Sequence, residues 1–177
     1  MTHLPLIGLT GQKGVGKDTV ADYITARYGY KKMALADPLK QACEAIFGLS
    51  KDQLNNPELK EQPDYFWGKS PRHLMQFLGT DLMRCQFDTD IWTKLIEKRS
   101  NGDLAGCVIS DIRFPNEREF VKRNGGMIIK IIRPNLQNDD MHESEQGDIS
   151  ADHVISNCDS INELYKQIDS ISFNIAM

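Results

Sequence analysis

Short apolar runs alternate with helical patterns along most of the chain. Runs rich in Leu, Ile, Val and Met, bounded by glycine or polar residues, predict strands at 4–9, 30–36, 105–111, 126–133 and 153–157. Apolar residues at helical spacing, preceded by capping residues, predict helices at 17–29, 37–48, 70–84, 90–99, 116–125 and 160–172. This alternation predicts an α/β fold, in which a parallel five-stranded sheet carries helices on both faces.

One long stretch breaks the alternation. Residues 37–104 hold several helical patterns and no convincing strand, so we expect a helical insertion in a single domain of residues 1–177. The core then comprises 1–36 and 105–177, and the polar loop 134–150 is lid-like. Parallel sheets bind ligands at the carboxyl ends of their strands. The segments 11–19, 37–40 and 111–117 follow such ends and carry the candidate chemistry.

Composition and charge narrow the classes of partner. The 177 residues carry a net charge of −4, which argues against a nucleic-acid polymer as partner because such proteins need a basic face. The four cysteines form no C-x-x-C pair, which is typical of free thiols in a reducing compartment. No apolar run is long enough to span a membrane. We therefore expect a cytoplasmic protein with no membrane partner.

The first of these segments is a glycine-rich loop, which reads GQKGVGKDTV from Gly11 to Val20. It follows an apolar strand and precedes a helix, which is the context of a phosphate-binding P-loop. A glycine-rich turn with an accidental lysine is the less favoured alternative. The lysine is expected to contact the β- and γ-phosphates of ATP as a catalytic cation. The predicted ATP-binding residues are Gly11, Lys13, Gly14, Val15, Gly16, Lys17, Asp18 and Thr19, with Arg133 at the end of the fourth predicted strand.

The usual P-loop has Ser or Thr directly after the lysine, where its hydroxyl ligates Mg²⁺. Here Asp18 holds that place and the hydroxyl of Thr19 comes one residue later. Both residues are candidates for the magnesium site. We favour Asp18 acting through a water molecule, because it lies in the first turn of the predicted helix.

A second segment, VISDIRFPNE, places Asp111 at the end of an apolar strand and Arg113 two residues later. An acid at this position is expected to orient the substrate or to face the magnesium shell. Arginine binds phosphate and spreads charge in the transition state. We predict that both are catalytic, although a surface ion pair is the simpler alternative. Asn116 and Glu117 open the next helix, where helix capping competes with a role in binding.

A further candidate, outside the strand-end segments, is the predicted helix SPRHLMQFLGTDLMR. Its apolar line consists of Leu74, Leu78 and Leu82, and its polar line consists of Arg72, Gln76 and Thr80. The polar line beside Gly79 suits a nucleobase and its phosphate, whereas a solvated face is the alternative. Further acceptor candidates are Asp37, Lys40, Lys69 and Arg84.

Taken in chain order, the segments GQKGVGKDTVADYI, ALADPLK, SPRHLMQFLGTDLMR, DIWTKLI, VISDIRFPNE, HESE and DHVISN resemble the deoxynucleoside monophosphate kinases of phages and related viruses. The resemblance implies a P-loop kinase core, a three-layer α/β sandwich with a helical insertion that binds the monophosphate. It implies transfer of the γ-phosphoryl group of ATP to a deoxynucleoside monophosphate (dNMP), with Mg²⁺, in the host cytoplasm if the protein is viral. The acceptor residues it implies are Asp37, Lys40, Arg72, Gln76, Arg84, Asp111, Arg113 and Glu117.

Other readings stay open from the sequence. Phosphomevalonate and dephospho-coenzyme A kinases have a similar loop and insertion, and a non-catalytic nucleotide-binding module is a further alternative. A GTPase is disfavoured because the chain has no N-K-x-D motif for guanine. The residues decide neither which bases are accepted nor whether the protein is a monomer or a homodimer.

Overall fold

A computed structural model describes residues 4–134, 136, 149–171 and 173. The chain divides into two compact units, one of residues 1–35 and 96–177 and one of residues 36–95. Most of the lid-like loop predicted at 134–150 lies outside the described residues. No helix in the described ranges has the length and apolar character needed to cross a membrane.

The first unit is built on a five-stranded sheet. Its strands are β1 (Ile7–Thr10), β2 (Lys31–Met33), β3 (Cys107–Ile109), β4 (Met127–Ile132) and β5 (His153–Ser156). The strands lie in the order β2-β3-β1-β4-β5 and every neighbouring pair is parallel. The predicted parallel five-stranded sheet is therefore confirmed, and β1 lies at its centre, paired with β3 on one edge and β4 on the other.

Helices cover this sheet on both faces. They are α1 (Lys17–Tyr28), α6 (Pro115–Arg123) and α7 (Ile161–Asp169). Side chains alternate along a strand, so Ile7 and Leu9 of β1 point to one face, in a core cluster shared with α1 and α7. Gly8 points to the other face, where a Cβ atom would lie 3.1 Å from Val121 of α6.

The second unit is helical. It contains α2 (Ala36–Phe47), α3 (Lys51–Asn55), α4 (Pro71–Gln76) and a π-helix (Phe77–Phe87) that continues α4. The helix α5 (Ile91–Arg99) contains the boundary between the two units. The sequence analysis predicts no helix between 48 and 70, and α3 corrects this. Ser50 and Gln53 form a capping box that begins α3, a local signal that the prediction overlooked.

The core of the helical unit shows where the predicted helix 70–84 was wrong. Leu74 and Leu78 are buried in a cluster with Cys43, Leu49 and Leu54, but Leu82 is exposed and Met83 packs against the cluster instead. The segment after Gln76 forms i→i+5 hydrogen bonds, so it has more residues per turn than an α-helix. The predicted apolar line therefore holds at Leu74 and Leu78 and fails at Leu82, and Thr80 of the predicted polar line is buried.

Candidate active site

The glycine-rich loop connects the central strand to the first helix. β1 ends at Thr10, α1 begins at Lys17, and Gly11, Gly14 and Gly16 have φ values of 139°, 81° and 102°. L-residues with side chains rarely adopt such values, so the loop conformation requires glycine at these positions. Successive amides in this kind of loop form a concave site for an anion, and the following helix N-terminus adds positive potential.

Lys17 is held at this loop. Its ammonium group donates hydrogen bonds to the carbonyl oxygens of Gly11, at 2.7 Å, and Gln12, at 2.9 Å. The side chain therefore folds back from the first residue of α1 to the start of the loop. This geometry places a positive charge beside the amides that would surround a phosphate.

β5 provides a second support for the loop. The side-chain amide of Asn157, directly after this strand, donates a hydrogen bond of 2.8 Å to the Val15 carbonyl. The backbone N–H of Asn157 donates to the Ile132 carbonyl at 2.8 Å, which extends the pairing of β5 with β4 by one residue. The sequence analysis missed Asn157, although a polar residue at the carboxyl end of a parallel strand was the signal that identified Asp111.

The two magnesium candidates differ in their surroundings. Asp18 has an 82% exposed side chain, and its carboxylate lies 2.9 Å from the ammonium of Lys32 on β2. The same ammonium lies 2.9 Å from Asp22, one turn further along α1. Burial lowers the pKa of Lys32, but its hydrogen bonds to Asp22 and Asp18 outweigh this effect and raise it above the usual value. Thr19 is half-buried.

Asp111 lies at the carboxyl end of β3, as the sequence predicts. Its Oδ1 atom accepts a hydrogen bond of 2.7 Å from the backbone N–H of Leu35. Leu35 follows β2 and immediately precedes α2. The carboxylate thus connects the ends of two neighbouring strands and fixes the backbone where the chain leaves the sheet.

Glu117 organises the backbone of the neighbouring arginine. Glu117 is buried, with 3% of its surface exposed, and its carboxylate accepts hydrogen bonds from the backbone N–H groups of Arg113, at 2.7 Å, and Phe114, at 3.0 Å. Two such bonds satisfy donors before the first turn of α6, which is the capping role that the sequence left open. Glu117 is therefore well placed to position Arg113.

Three of the predicted acceptor residues in the helical unit form hydrogen bonds or an ion pair with other residues of that unit. Lys40 donates a hydrogen bond of 2.8 Å to the Asn55 side chain of α3. The guanidinium of Arg72 lies 2.6 Å from the carboxylate of Glu61, and Arg84 donates to the Thr89 carbonyl at 3.0 Å. The ion pair with Glu61 orients the guanidinium of Arg72, and no sequence pattern indicated that contact.

Gly79 has a packing role that the sequence analysis did not foresee. A Cβ atom at this position would lie 2.6 Å from the Cδ2 atom of Leu39 on α2. Leu39 therefore fills the space that was expected to admit a nucleobase. The Gly79 carbonyl also accepts a hydrogen bond of 3.1 Å from the Trp92 indole. Glycine at this position lets the Leu39 side chain of α2 pack close to the backbone of the π-helix.

The remaining predicted residues are exposed or half-buried. Lys13 is half-buried within the glycine loop, and Arg133 is exposed directly after β4. In the helical unit, Asp37 is exposed in the first turn of α2. Lys69 is exposed just before α4, and Gln76 is half-buried as its last residue. Within each unit, the structure thus places the candidates at strand ends or helix starts, or along α4 and the π-helix.

Comparison with known proteins agrees with this geometry. The family model for deoxynucleotide monophosphate kinase matches residues 5–69 and 67–168. A protein of Acanthamoeba polyphaga mimivirus assigned as a deoxynucleotide monophosphate kinase is 42% identical, and the alignment covers 93% of this chain and 94% of the relative. The deoxynucleotide monophosphate kinase of Enterobacteria phage T4 is 26% identical, with 93% and 97% covered.

A solved structure supports the fold alone. A gluconokinase from Sinorhizobium meliloti 1021 superposes with a TM-score of 0.52 at 13% identity, covering 94% of this chain and 90% of that one. The expected P-loop kinase fold is confirmed by this likeness together with the sheet order. From the family match and the mimivirus relative, the chain belongs to the deoxynucleotide monophosphate kinase family.

Proposed function

We propose that this protein transfers the γ-phosphoryl group of ATP to a deoxynucleoside 5′-monophosphate, giving the diphosphate and ADP. The observation that carries the proposal is the glycine loop, with three positive-φ glycines and Lys17 hydrogen-bonded across it. Family membership supports the choice of acceptor. It favours a deoxynucleotide over phosphomevalonate or dephospho-coenzyme A, which other P-loop kinases accept.

The donor side follows from the loop. Backbone N–H groups between Gly11 and Lys17 would bind the β- and γ-phosphate oxygens, and the Lys17 ammonium would exchange its bonds to loop carbonyls for bonds to phosphate. Arg133 and Lys13 are the further cations we assign to the donor. Since the loop fixes the direction of its N–H groups before the substrate arrives, these groups stabilise the transferring group without reorganisation.

Mg²⁺ is the metal we expect with ATP, and it would neutralise charge on the phosphates. Among the described residues, no group of three His, Cys, Asp or Glu side chains is arranged to hold a metal ion. Magnesium in kinase sites usually keeps several waters and uses one or two protein ligands together with substrate phosphates. Asp18 and Thr19, in the first turn of α1, suit such a site, and Asp18 acting through water is our preferred assignment.

In the sheet unit, the acceptor residues that we assign are Asp111, Arg113 and Glu117. Asp111 and Arg113 follow β3, and Arg113 would reduce the repulsion between the acceptor phosphate and the transferring group. Glu117 would act through the backbone that it holds. The remaining assigned residues are Asp37, Lys40, Lys69, Arg72, Gln76 and Arg84. A phosphate monoester is largely ionised near neutral pH, so the acceptor needs orientation more than a strong general base.

The decisive experiment is a coupled assay of ADP release. Initial rates would be measured with the four common deoxynucleoside monophosphates, their ribose counterparts, phosphomevalonate and dephospho-coenzyme A. We expect turnover with at least one deoxynucleotide. Turnover restricted to either of the last two acceptors, or none with any nucleotide, would contradict the proposal.

A variant of the loop lysine tests the site itself. We expect Lys17→Ala to lower kcat/KM by at least about a hundredfold, because it removes one preorganised charge stabiliser. Lys98→Ala is the matched control, since Lys98 is exposed near the end of α5 and far in sequence from the loop. Equal rates for the wild type and the Lys17 variant would remove the basis of the P-loop assignment.

A further inference from the structure

Asn157 contacts the glycine loop from outside it. Its side-chain amide reaches the Val15 carbonyl from the end of β5, at 2.8 Å. Its own backbone is fixed, because its N–H donates to the Ile132 carbonyl as a continuation of the β4–β5 ladder. The amide is therefore a rigid attachment between the edge of the sheet and the middle of the loop.

This hydrogen bond determines the direction of one particular N–H group. The Val15 carbonyl and the Gly16 N–H belong to the same trans peptide unit, so they point in opposite directions. When the carbonyl is held toward Asn157, the Gly16 N–H must point away from β5. On its other side, the Gly16 carbonyl accepts the first helical bond of α1 from Val20, at 3.1 Å. Both peptide groups of Gly16 are therefore held.

Position 16 requires glycine for two reasons, its backbone conformation and this contact with Asn157. Gly16 has a φ value of 102°, and a Cβ atom there would lie 2.6 Å from the Asn157 side-chain nitrogen. The amide therefore approaches the loop as closely as the missing side chain permits. The Asn157 side chain consequently occupies the space that a side chain at position 16 would take.

We propose that Asn157 is a positioning residue of the phosphate loop, which holds the Val15–Gly16 peptide so that the Gly16 N–H is aimed at the phosphates of ATP. The inference rests on the proposed ATP site and deepens it. A preorganised N–H group binds an anion without first having to reorient. Loss of the Asn157 amide would allow this peptide to rotate, and the phosphates would then lose a fixed donor.

The first experiment separates a role toward phosphate from a role toward the base. Binding of Mg·ATP and of Mg·tripolyphosphate, which has neither base nor ribose, would be measured by calorimetry for the wild type and Asn157→Ala. We expect both affinities to fall by about tenfold, the effect of losing roughly one useful hydrogen bond. A fall for ATP alone would show that Asn157 acts on the nucleoside and would overturn the proposal. No fall for either ligand would overturn it too.

A second variant keeps the size of the side chain. Asn157→Asp replaces the donor with a carboxylate that repels the Val15 carbonyl, so we expect a larger loss of tripolyphosphate affinity than for Asn157→Ala. Asn162→Asp is the matched control, because Asn162 is exposed in the first turn of α7 and receives the same change of charge. Equal losses in Asn157→Asp and Asn162→Asp would show that net charge alone is responsible.

Kinetics complete the test. We expect Asn157→Ala to raise the KM for ATP while the KM for the accepted dNMP stays within about twofold, since only the ATP site loses a fixed N–H group. A similar rise in both constants would indicate a general structural defect and would contradict the assignment. The calorimetric binding experiments, unlike the kinetic one, need no acceptor. Their outcome is therefore independent of whether the acceptor is a deoxynucleotide.

Discussion

At the scale of the residue, two acids that were predicted to contact substrate accept hydrogen bonds from backbone N–H groups. The Asp111 carboxylate accepts from Leu35, and the Glu117 carboxylate accepts from Arg113 and Phe114. The sequence predicted where these acids lie, because polar residues after buried strands collect at one edge of a parallel sheet. It could not predict which backbone amides they accept from, because those contacts depend on how the segments after β2 and β3 meet.

The magnesium assignment gives a prediction about single residues. We expect Asp18→Asn to raise the Mg²⁺ concentration needed for half-maximal rate by about tenfold, the effect of losing roughly one charge-assisted hydrogen bond to a metal-bound water. Asp22→Asn is the matched control, because Asp22 shares Lys32 with Asp18 at the same distance of 2.9 Å. An equal shift in both variants, or a shift only in Thr19→Ala, would contradict the preference for Asp18.

At the scale of the element, the strands were predictable and the long helix was not. The apolar runs of β1, β3 and β4 predicted these strands, because a buried parallel strand needs a continuous apolar run that local sequence displays directly. The edge strand β2 reads KKM and is largely exposed, so its sequence carries a weaker signal. The change from α4 to the π-helix at Phe77 has no comparable local signal. It accompanies the packing of Gly79 against Leu39 and the hydrogen bond from Trp92, and both partners are distant in the sequence.

Gly79 supplies a prediction about that packing. On an unobstructed helix, Gly→Ala stabilises by about 1 kcal/mol. Here the added methyl group meets the Cδ2 atom of Leu39 at 2.6 Å, so we expect Gly79→Ala to lose that gain and to leave the protein less stable than the wild type. In a Leu39→Ala background the same change should become stabilising. Chemical denaturation of the four proteins of this cycle measures the reversal, and additive effects would contradict the close contact.

At the scale of the whole molecule, both units carry aspartates whose charged form the fold stabilises. Hydrogen bonds from Gln53 and Lys94 lower the pKa values of Asp64 and Asp88 in the helical unit. In the sheet unit, the hydroxyl groups of Tyr28 and Tyr23 lower the pKa of Asp169. Burial acts to raise the pKa of Asp152, but the Ile128 N–H and the Lys122 ammonium outweigh it and lower the pKa.

Depressed aspartate pKa values predict the direction of acid destabilisation. A group whose pKa is lower in the folded state stabilises the fold above its unfolded pKa, about 3.9 for Asp. This stabilisation is lost as the pH falls through the folded value, because the unfolded chain takes up protons first. We therefore expect the melting temperature to be steady near pH 7 and to fall increasingly as the pH approaches 3.

Asp152 is the most informative single site for this prediction, because its two oxygens accept from Lys122 at 2.9 Å and from the Ile128 backbone at 2.7 Å. Asp152→Asn keeps the shape but removes the charge, so we expect the melting temperature at pH 7 to fall by about 2–4 °C, corresponding to about 1 kcal/mol. The difference from the wild type should shrink toward pH 3, where the native carboxyl group is also neutralised. Glu44→Gln, at an exposed carboxylate of α2, should follow the wild-type curve. A deficit in Asp152→Asn that stays constant or grows in acid would mean that charge at this position does not stabilise the sheet unit.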